Sequence, residues 1–161
     1  MTDRPLLTAR KHSERPHVLI VSDDPGLSKF LNEGLPLGGF WTTVIASGLQ
    51  ALEVFRLRQF DLVVLDWDLQ SFDALEFLRR LRGVSTRSAT TRPRTTAPVV
   101  LISEDPAHLE ENDRSLLDVS RMLHAPLDID EVVRELHAVF EDWRQAFPDV
   151  PLSDDPLREN R

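Results

Sequence analysis

The chain contains no cysteine, so no disulfide framework staples it, and a reducing, cytoplasmic setting is the expectation. No apolar run approaches the roughly 20 residues that a membrane-spanning helix needs, and the first 15 residues lack the apolar core of a signal peptide. No glycine-rich loop follows any strand-like segment, which sets aside a Rossmann-type nucleotide binder. Positive charge is also scarce. Nineteen Lys and Arg stand against 27 Asp and Glu, a net charge of −8, which favours solubility and argues against nucleic-acid binding by the surface as a whole. What is present, 161 residues of which 41% are hydrophobic, suffices for one domain with a real core and not for two of ordinary size.

Polar composition at 1–15, and three prolines without a periodic apolar face at 148–161, predict flexible tails around a domain at 16–147. Within it, strand-like runs recur at His17 to Val21, Thr42 to Ala46, Leu62 to Asp66, Val99 to Ser103 and Arg121 to Leu123. Each is followed by a candidate helix. Asp24 and Pro25 supply a cap and a first-turn proline before Leu27, Phe30 and Leu31, which share one face. Ser47 or Gly48 opens a second helix, Asp73 a third, and a weaker fourth lies near Ala107 to Asp118. Asp128 caps a fifth, whose apolar residues from Ile129 through Trp143 to Phe147 follow helical spacing for about five turns.

Five strand-helix units with short connections predict a three-layer α/β/α sandwich, a doubly wound five-stranded parallel sheet with helices on both faces. Such a sheet has a crevice at the carboxyl ends of adjacent central strands whose connections leave to opposite faces. The continuous apolar run Leu62-Val63-Val64-Leu65, fit for a buried strand, ends on Asp66 and delivers one carboxylate to that place. Asp23 and Asp24 are its candidate companions. A strand-end aspartate also serves simply as a cap or turn former, and Asp24, followed by proline, reads as a helix cap before a ligand.

Taken together, Val18-Leu19-Ile20-Val21-Ser22-Asp23-Asp24-Pro25, the Asp66 strand, Ala97-Pro98 with Val99 to Ser103, Ser47 to Leu52, and Ala125-Pro126-Leu127 resemble a response-regulator receiver domain. The resemblance runs from about Pro16 to Trp143 and implies a flavodoxin-like (βα)5 fold without enzymatic turnover of its own. It implies transfer of a phosphoryl group from a histidine kinase or phosphotransfer protein to Asp66, whose carboxylate attacks phosphorus and forms an acyl phosphate. It implies a Mg²⁺ held by Asp23, Asp66 and the backbone carbonyl of Asp68, all hard oxygen ligands. Ser103 matches the family's switch hydroxyl.

Several positions depart from the family pattern. Ala125 stands where the family has a lysine, and can neither neutralise a phosphate nor donate a side-chain hydrogen bond. His124 is no substitute, since neighbouring strand residues point to opposite faces. Losing one charged hydrogen bond costs about 1.5–3 kcal/mol, roughly tenfold to a hundredfold. Ser22 holds the first of two acidic positions, Gln70 replaces a proline, Ala74 a glycine, Glu104 a small residue beside the switch hydroxyl, and Met122 the switch aromatic. Glu104 places a carboxylate where phosphate must approach.

Two segments lie outside the pattern. Gly83 to Ala97, rich in Ser, Thr and Arg, lengthens the connection into the fourth strand and is expected to be a mobile, solvated loop. No acid occurs between Glu76 and Glu104 while Arg79, Arg80, Arg82, Arg87, Arg92 and Arg94 do, but no aromatic platform accompanies this basic patch. Trp143 and Phe147 extend the last helix's stripe, consistent either with a homodimer contact or with packing inside the chain. The 14 residues after Phe147 leave no room for a helix-turn-helix, so the expectation is a stand-alone receiver that signals to a downstream protein target by contact, with no membrane partner. The alternatives are a phosphorylation-independent pseudo-receiver and, from another class, a haloacid-dehalogenase-type phosphatase in which Asp66 attacks and Asp68 donates protons. That last family places its Asp-x-Asp on the first strand; here the motif follows two strand-helix units.

Overall fold

A computed structural model describes residues 15–87, 92–105 and 110–153. Five strands, β1 (His17–Val21), β2 (Trp41–Ile45), β3 (Leu62–Asp66), β4 (Val99–Ser103) and β5 (Val119–His124), form one parallel sheet in the order β2-β1-β3-β4-β5. Between and after them run α1 (Pro25–Leu37), α2 (Gly48–Val54), α3 (Ala74–Leu81), α4 (Glu111–Leu116) and α5 (Ile129–Ala146). This is the doubly wound, flavodoxin-like sandwich that the alternation of strand and helix predicts.

Side-chain alternation along the three central strands sorts the core into two halves. Leu19, Val21, Val63, Leu65, Val99 and Leu101 face α2 and α3, joining Ala51, Leu52, Phe77, Leu78 and Leu81. Val18, Ile20, Leu62, Val64, Val100 and Ile102 face α1 and α5, joining Leu31, Leu35, Val132, Leu136, Val139 and Phe140. Both faces are covered, which is why β1, β3 and β4 are buried at every position and read as unbroken apolar runs. Each fully buried Leu or Phe contributes about 1.5–3 kcal/mol. Gly38, just past α1, permits a close approach there: a Cβ would meet the Val133 side chain of α5 at 2.6 Å.

Helix starts follow their caps. Asp24 Oδ1 accepts from the Gly26 and Leu27 amides, Ser47 Oγ from Gln50, Asp73 Oδ1 from Leu75, and Asp128 Oδ1 from Asp130. The fourth helix is shorter than Ala107 to Asp118 predicts, covering Glu111–Leu116, with 106–109 outside the described residues. β5 begins two residues before Arg121, because Val119 pairs with Val99 across an irregularity in the register.

The structure refines three expectations. At its described ends the connection 83–97 is solvated in part: Val84, Thr86, Arg87, Arg92, Pro93 and Thr96 are exposed, while Ser85 and Ala97 are buried. Arg94 within it donates to the carbonyls of Leu52 and Arg80, and Arg82, just before it, donates to those of Leu117, Thr95 and Asp118, so both arginines act as staples. Ser85 is buried and donates to the carboxylate of Glu76, which Arg80 also meets at 3.0 Å. Burial works against the charge of Glu76, but the Ser85 and Arg80 hydrogen bonds outweigh it and hold that carboxyl below its usual range. Residues 88–91, in the middle of this connection, lie outside the described residues.

Packed residues also reach further at both ends than composition suggests. Arg15 donates to Pro36 O and lies 4.6 Å from the Trp41 ring centroid. After α5, Phe147, Pro148 and Asp149 are exposed and the chain then packs again: Leu152 joins the α1/α5 half of the core, and Ser153 donates its amide and hydroxyl to Asp61 at 3.0 and 2.6 Å. Asp61 also accepts the His17 amide, so one buried carboxylate ties the closing segment to the start of the sheet. The remaining tail residues, 1–14 and 154–161, lie outside the described residues.

Candidate functional site

Chain direction and strand order put the carboxyl ends of β1 and β3 side by side, with Val21 opposite Leu65. The helices that follow leave to opposite faces, α1 to one and α3 to the other. The crevice expected at that divergence is present, an open cleft of about 420 Å³ lined by Asp23, Asp24, Asp66, Asp68, Gln70, Ser103, Glu104 and Ala125, among others.

Asp66 lies at its floor, 5% exposed. Both carboxylate oxygens are engaged: the Ser22 hydroxyl donates to Oδ2 at 2.8 Å, and the Asp68 amide donates to Oδ1 at 2.9 Å. Burial pushes the Asp66 carboxyl up from its ordinary value, while those two hydrogen bonds pull in the other direction and the Asp68 and Asp24 charges add to the rise. A carboxyl raised on folding favours the native state at low pH and loses that contribution as pH climbs through its folded value. Asp66→Asn is therefore expected to unfold at a higher temperature than the parent chain near neutral pH, with the gain disappearing once pH falls below the ordinary aspartate value of 3.8. Thermal melts across that range read it directly.

The remaining acids are spoken for as well. Asp23 Oδ2 accepts the backbone amides of Gln70 and Ser71 at 2.9 and 2.6 Å, clamping the β3–α3 loop to the end of β1. Ser71 Oγ donates onward to Ala46 O, joining the β2–α2 loop to the same frame. Asp68 Oδ2 accepts the Glu104 amide at 3.3 Å, and the carbonyl of Asp68 accepts the Gln70 side-chain amide at 2.9 Å. Asp24 caps α1 and lines the rim of the cleft.

Ser103 is buried at the end of β4, and its hydroxyl turns into its own loop, donating to Asp105 O and accepting the Asp105 amide. Ala125 reaches the cleft wall, fixed by its amide donating to Ser103 O, whereas His124 is exposed and not part of the lining. Met122 is half-buried against the α2/α3 half of the core, and Glu104 is exposed at the cleft mouth. Trp67 also packs, half-buried, against that half.

A Mg²⁺ in this cleft would take its oxygens from Asp23, Asp66 and the Asp68 carbonyl. The chemistry of that donor set suits a hard cation, and protein donors occupy part of its coordinating capacity. A protein N–H or O–H already reaches each of these groups, and among the described residues no group of three or more His, Cys, Asp and Glu side chains is placed to hold a metal. The roles of Ser22 and Gln70 as donors were not legible as such in the sequence. Only the register of β1 on β3 shows that the hydroxyl in the acidic position faces Asp66.

Comparison with known proteins agrees with this frame. Residues 18–137 match the model of the response regulator receiver domain. The sporulation initiation phosphotransferase F of Bacillus subtilis is 38% identical over 67 residues, covering 42% of this chain and 54% of that protein. The regulatory protein VirG of Agrobacterium tumefaciens is 30% identical over 123 residues, covering 74% of this chain and 42% of that protein. The chain thus spans about half the length of these curated relatives. A sensor protein from Polaromonas sp. JS666 superposes with a TM-score of 0.67 at 30% identity, over 80% of this chain and 98% of that structure. Fold, strand-end aspartate and a family match across the whole sheet lead to one assignment: the chain belongs to the response regulator receiver domain family.

Proposed function

We propose that this receiver domain serves two-component signalling by accepting a phosphoryl group on Asp66 from a histidine kinase or phosphotransfer protein, and that it passes the resulting state to a downstream protein by contact. The observation that carries this reading is the place of Asp66, the buried carboxylate on the cleft floor where β1 and β3 diverge, with Asp23, Asp68 and Ser103 around it. In the transfer, a carboxylate oxygen of Asp66 forms the new bond to phosphorus as the bond to the donor's leaving group breaks, giving an acyl phosphate. Each Asp66 oxygen accepts one hydrogen bond, from the Ser22 hydroxyl or the Asp68 N–H, and attacks with a lone pair that its donor does not occupy. With Ala125 at the cleft wall no side-chain cation meets the product there, and the acyl phosphate forms in low yield or decays quickly.

A second reading, a phosphorylation-independent interaction module, draws support from one specific feature: the oxygens of the expected cation set already have protein donors. The haloacid-dehalogenase-type alternative gains nothing comparable. Here Asp66 ends the third strand in chain order, and the Asp68 carboxylate accepts the Glu104 amide at the mouth of the cleft. No helix among the described residues is long and apolar enough to cross a membrane.

The two receiver readings part on one measurement. The chain is incubated with acetyl phosphate and Mg²⁺ and its intact mass recorded, with Asp66→Asn alongside. Addition of one phosphoryl mass that Asp66→Asn abolishes is the expected result. If no adduct forms, and beryllofluoride as phosphoryl mimic leaves the amide spectrum unchanged, the phosphoryl reading fails and the interaction module stands.

A further inference from the structure

We infer that the Gln70 side chain is a built-in plug of the Asp66 cleft, so that a divalent cation enters only after the Gln70 amide has swung off the Asp68 carbonyl. The inference builds on the reading of Asp66 as phosphoryl acceptor, though it is measured separately. Four distances carry it. Gln70 Nε2 lies 2.9 Å from Asp68 O, while the Gln70 and Ser71 amides sit 2.9 and 2.6 Å from Asp23 Oδ2. Opposite them, the Ser22 hydroxyl meets Asp66 Oδ2 at 2.8 Å.

These contacts supply hydrogen-bond donors to the same oxygens that a cation would coordinate. One N–H of the Gln70 side-chain amide, two backbone N–H groups and one hydroxyl point partial positive charge at oxygens of the cleft. The arrangement therefore eases the mutual repulsion of Asp23 and Asp66 without an ion. It also obstructs one. Mg²⁺ demands close, near-octahedral contact with its oxygens, and an amide hydrogen lodged on the Asp68 carbonyl stands in the way of that approach.

The plug is held weakly enough to move. The Gln70 and Ser71 backbone is clamped by Asp23, which anchors the base of the side chain, whereas the amide end makes a single neutral hydrogen bond at an exposed position. Breaking one neutral hydrogen bond disfavours cation entry by roughly threefold to tenfold. Gln70 thus acts as a positioning residue that sets the cation threshold of the site.

The test is binding of Mg²⁺ alone, with no phosphoryl donor present, to the full chain and to Gln70→Ala and Gln70→Met. Calorimetry and tryptophan emission report the titration. Methionine keeps the length of the side chain and removes the donors, and because Gln70 is exposed neither change disturbs the core. Both variants are expected to bind Mg²⁺ about threefold to tenfold more tightly than the parent, and in the parent the Gln70 side-chain amide resonances should shift as Mg²⁺ is added. Equal or weaker binding by both variants overturns the inference, weaker binding marking Gln70 as a ligand through Oε1 instead. Since no phosphate is involved, this outcome is independent of whether Asp66 forms an adduct.

Discussion

Ala125→Lys raises the yield or lifetime of the Asp66 phosphoryl adduct by about tenfold to a hundredfold, the expected worth of one charge-assisted hydrogen bond to a phosphoryl oxygen. Ala125 lines the cleft wall and is fixed by its amide on Ser103 O, so a lysine grown from this position extends into the space beside Asp66. Its ammonium would bring a compact positive charge to a cleft whose charged lining residues are otherwise all acidic: Asp23, Asp24, Asp66, Asp68 and Glu104. Intact mass after acetyl phosphate treatment, followed over time, measures both yield and decay. An unchanged adduct would locate the limit in the hydrogen bonds on Asp66 and Asp68 and not in the missing charge. The double variant with Gln70→Ala then tells whether the two effects add, as independent sites should, or couple through the shared cleft.

Phe77→Ala is expected to cost about 3–5 kcal/mol of stability, the usual range for truncating a fully buried phenylalanine. For a domain of this size that corresponds to a drop in melting temperature of about 10 °C or more. Phe77 is 0% exposed and belongs to the core half between the sheet and α2/α3. Its helix is capped by Asp73, directly after the loop that Asp23 holds through Gln70 and Ser71. A cavity beneath α3 therefore loosens the platform of the cleft as well as the core. A variant with an unchanged melting temperature would mean that the site collapses without leaving a void.

The fold was largely legible before any coordinates. Alternating strand and helix signals, caps at Asp24, Ser47, Asp73 and Asp128, and unbroken apolar runs in the central strands gave order and layers, because these signals are local and periodic. Where local signals fade the reading fell short. The connection 83–97 looks solvated in composition, yet Arg82 and Arg94 find backbone carbonyls more than ten residues away, and no local pattern encodes such partners. The closing segment reads as a tail, yet Leu152 finds apolar surface and Ser153 finds Asp61, whose carboxylate is 92 residues distant in sequence.

The site divides in the same way. The sequence alone determined that Asp66 ends a buried strand, that Ser22 and Asp23 directly follow its neighbour, and that Ala125 stands where the family resemblance expects a lysine, since each follows from residue identity and position in a pattern. Tertiary structure alone decided how the groups treat one another: that Ser22 donates to Asp66, that Asp23 spends an oxygen on the Gln70 and Ser71 amides, and that Gln70 covers the Asp68 carbonyl. The physical reason is the directionality of hydrogen bonds. Their making depends on distances of about 3 Å and on angles, which strand register and loop path set, and a list of residues carries neither.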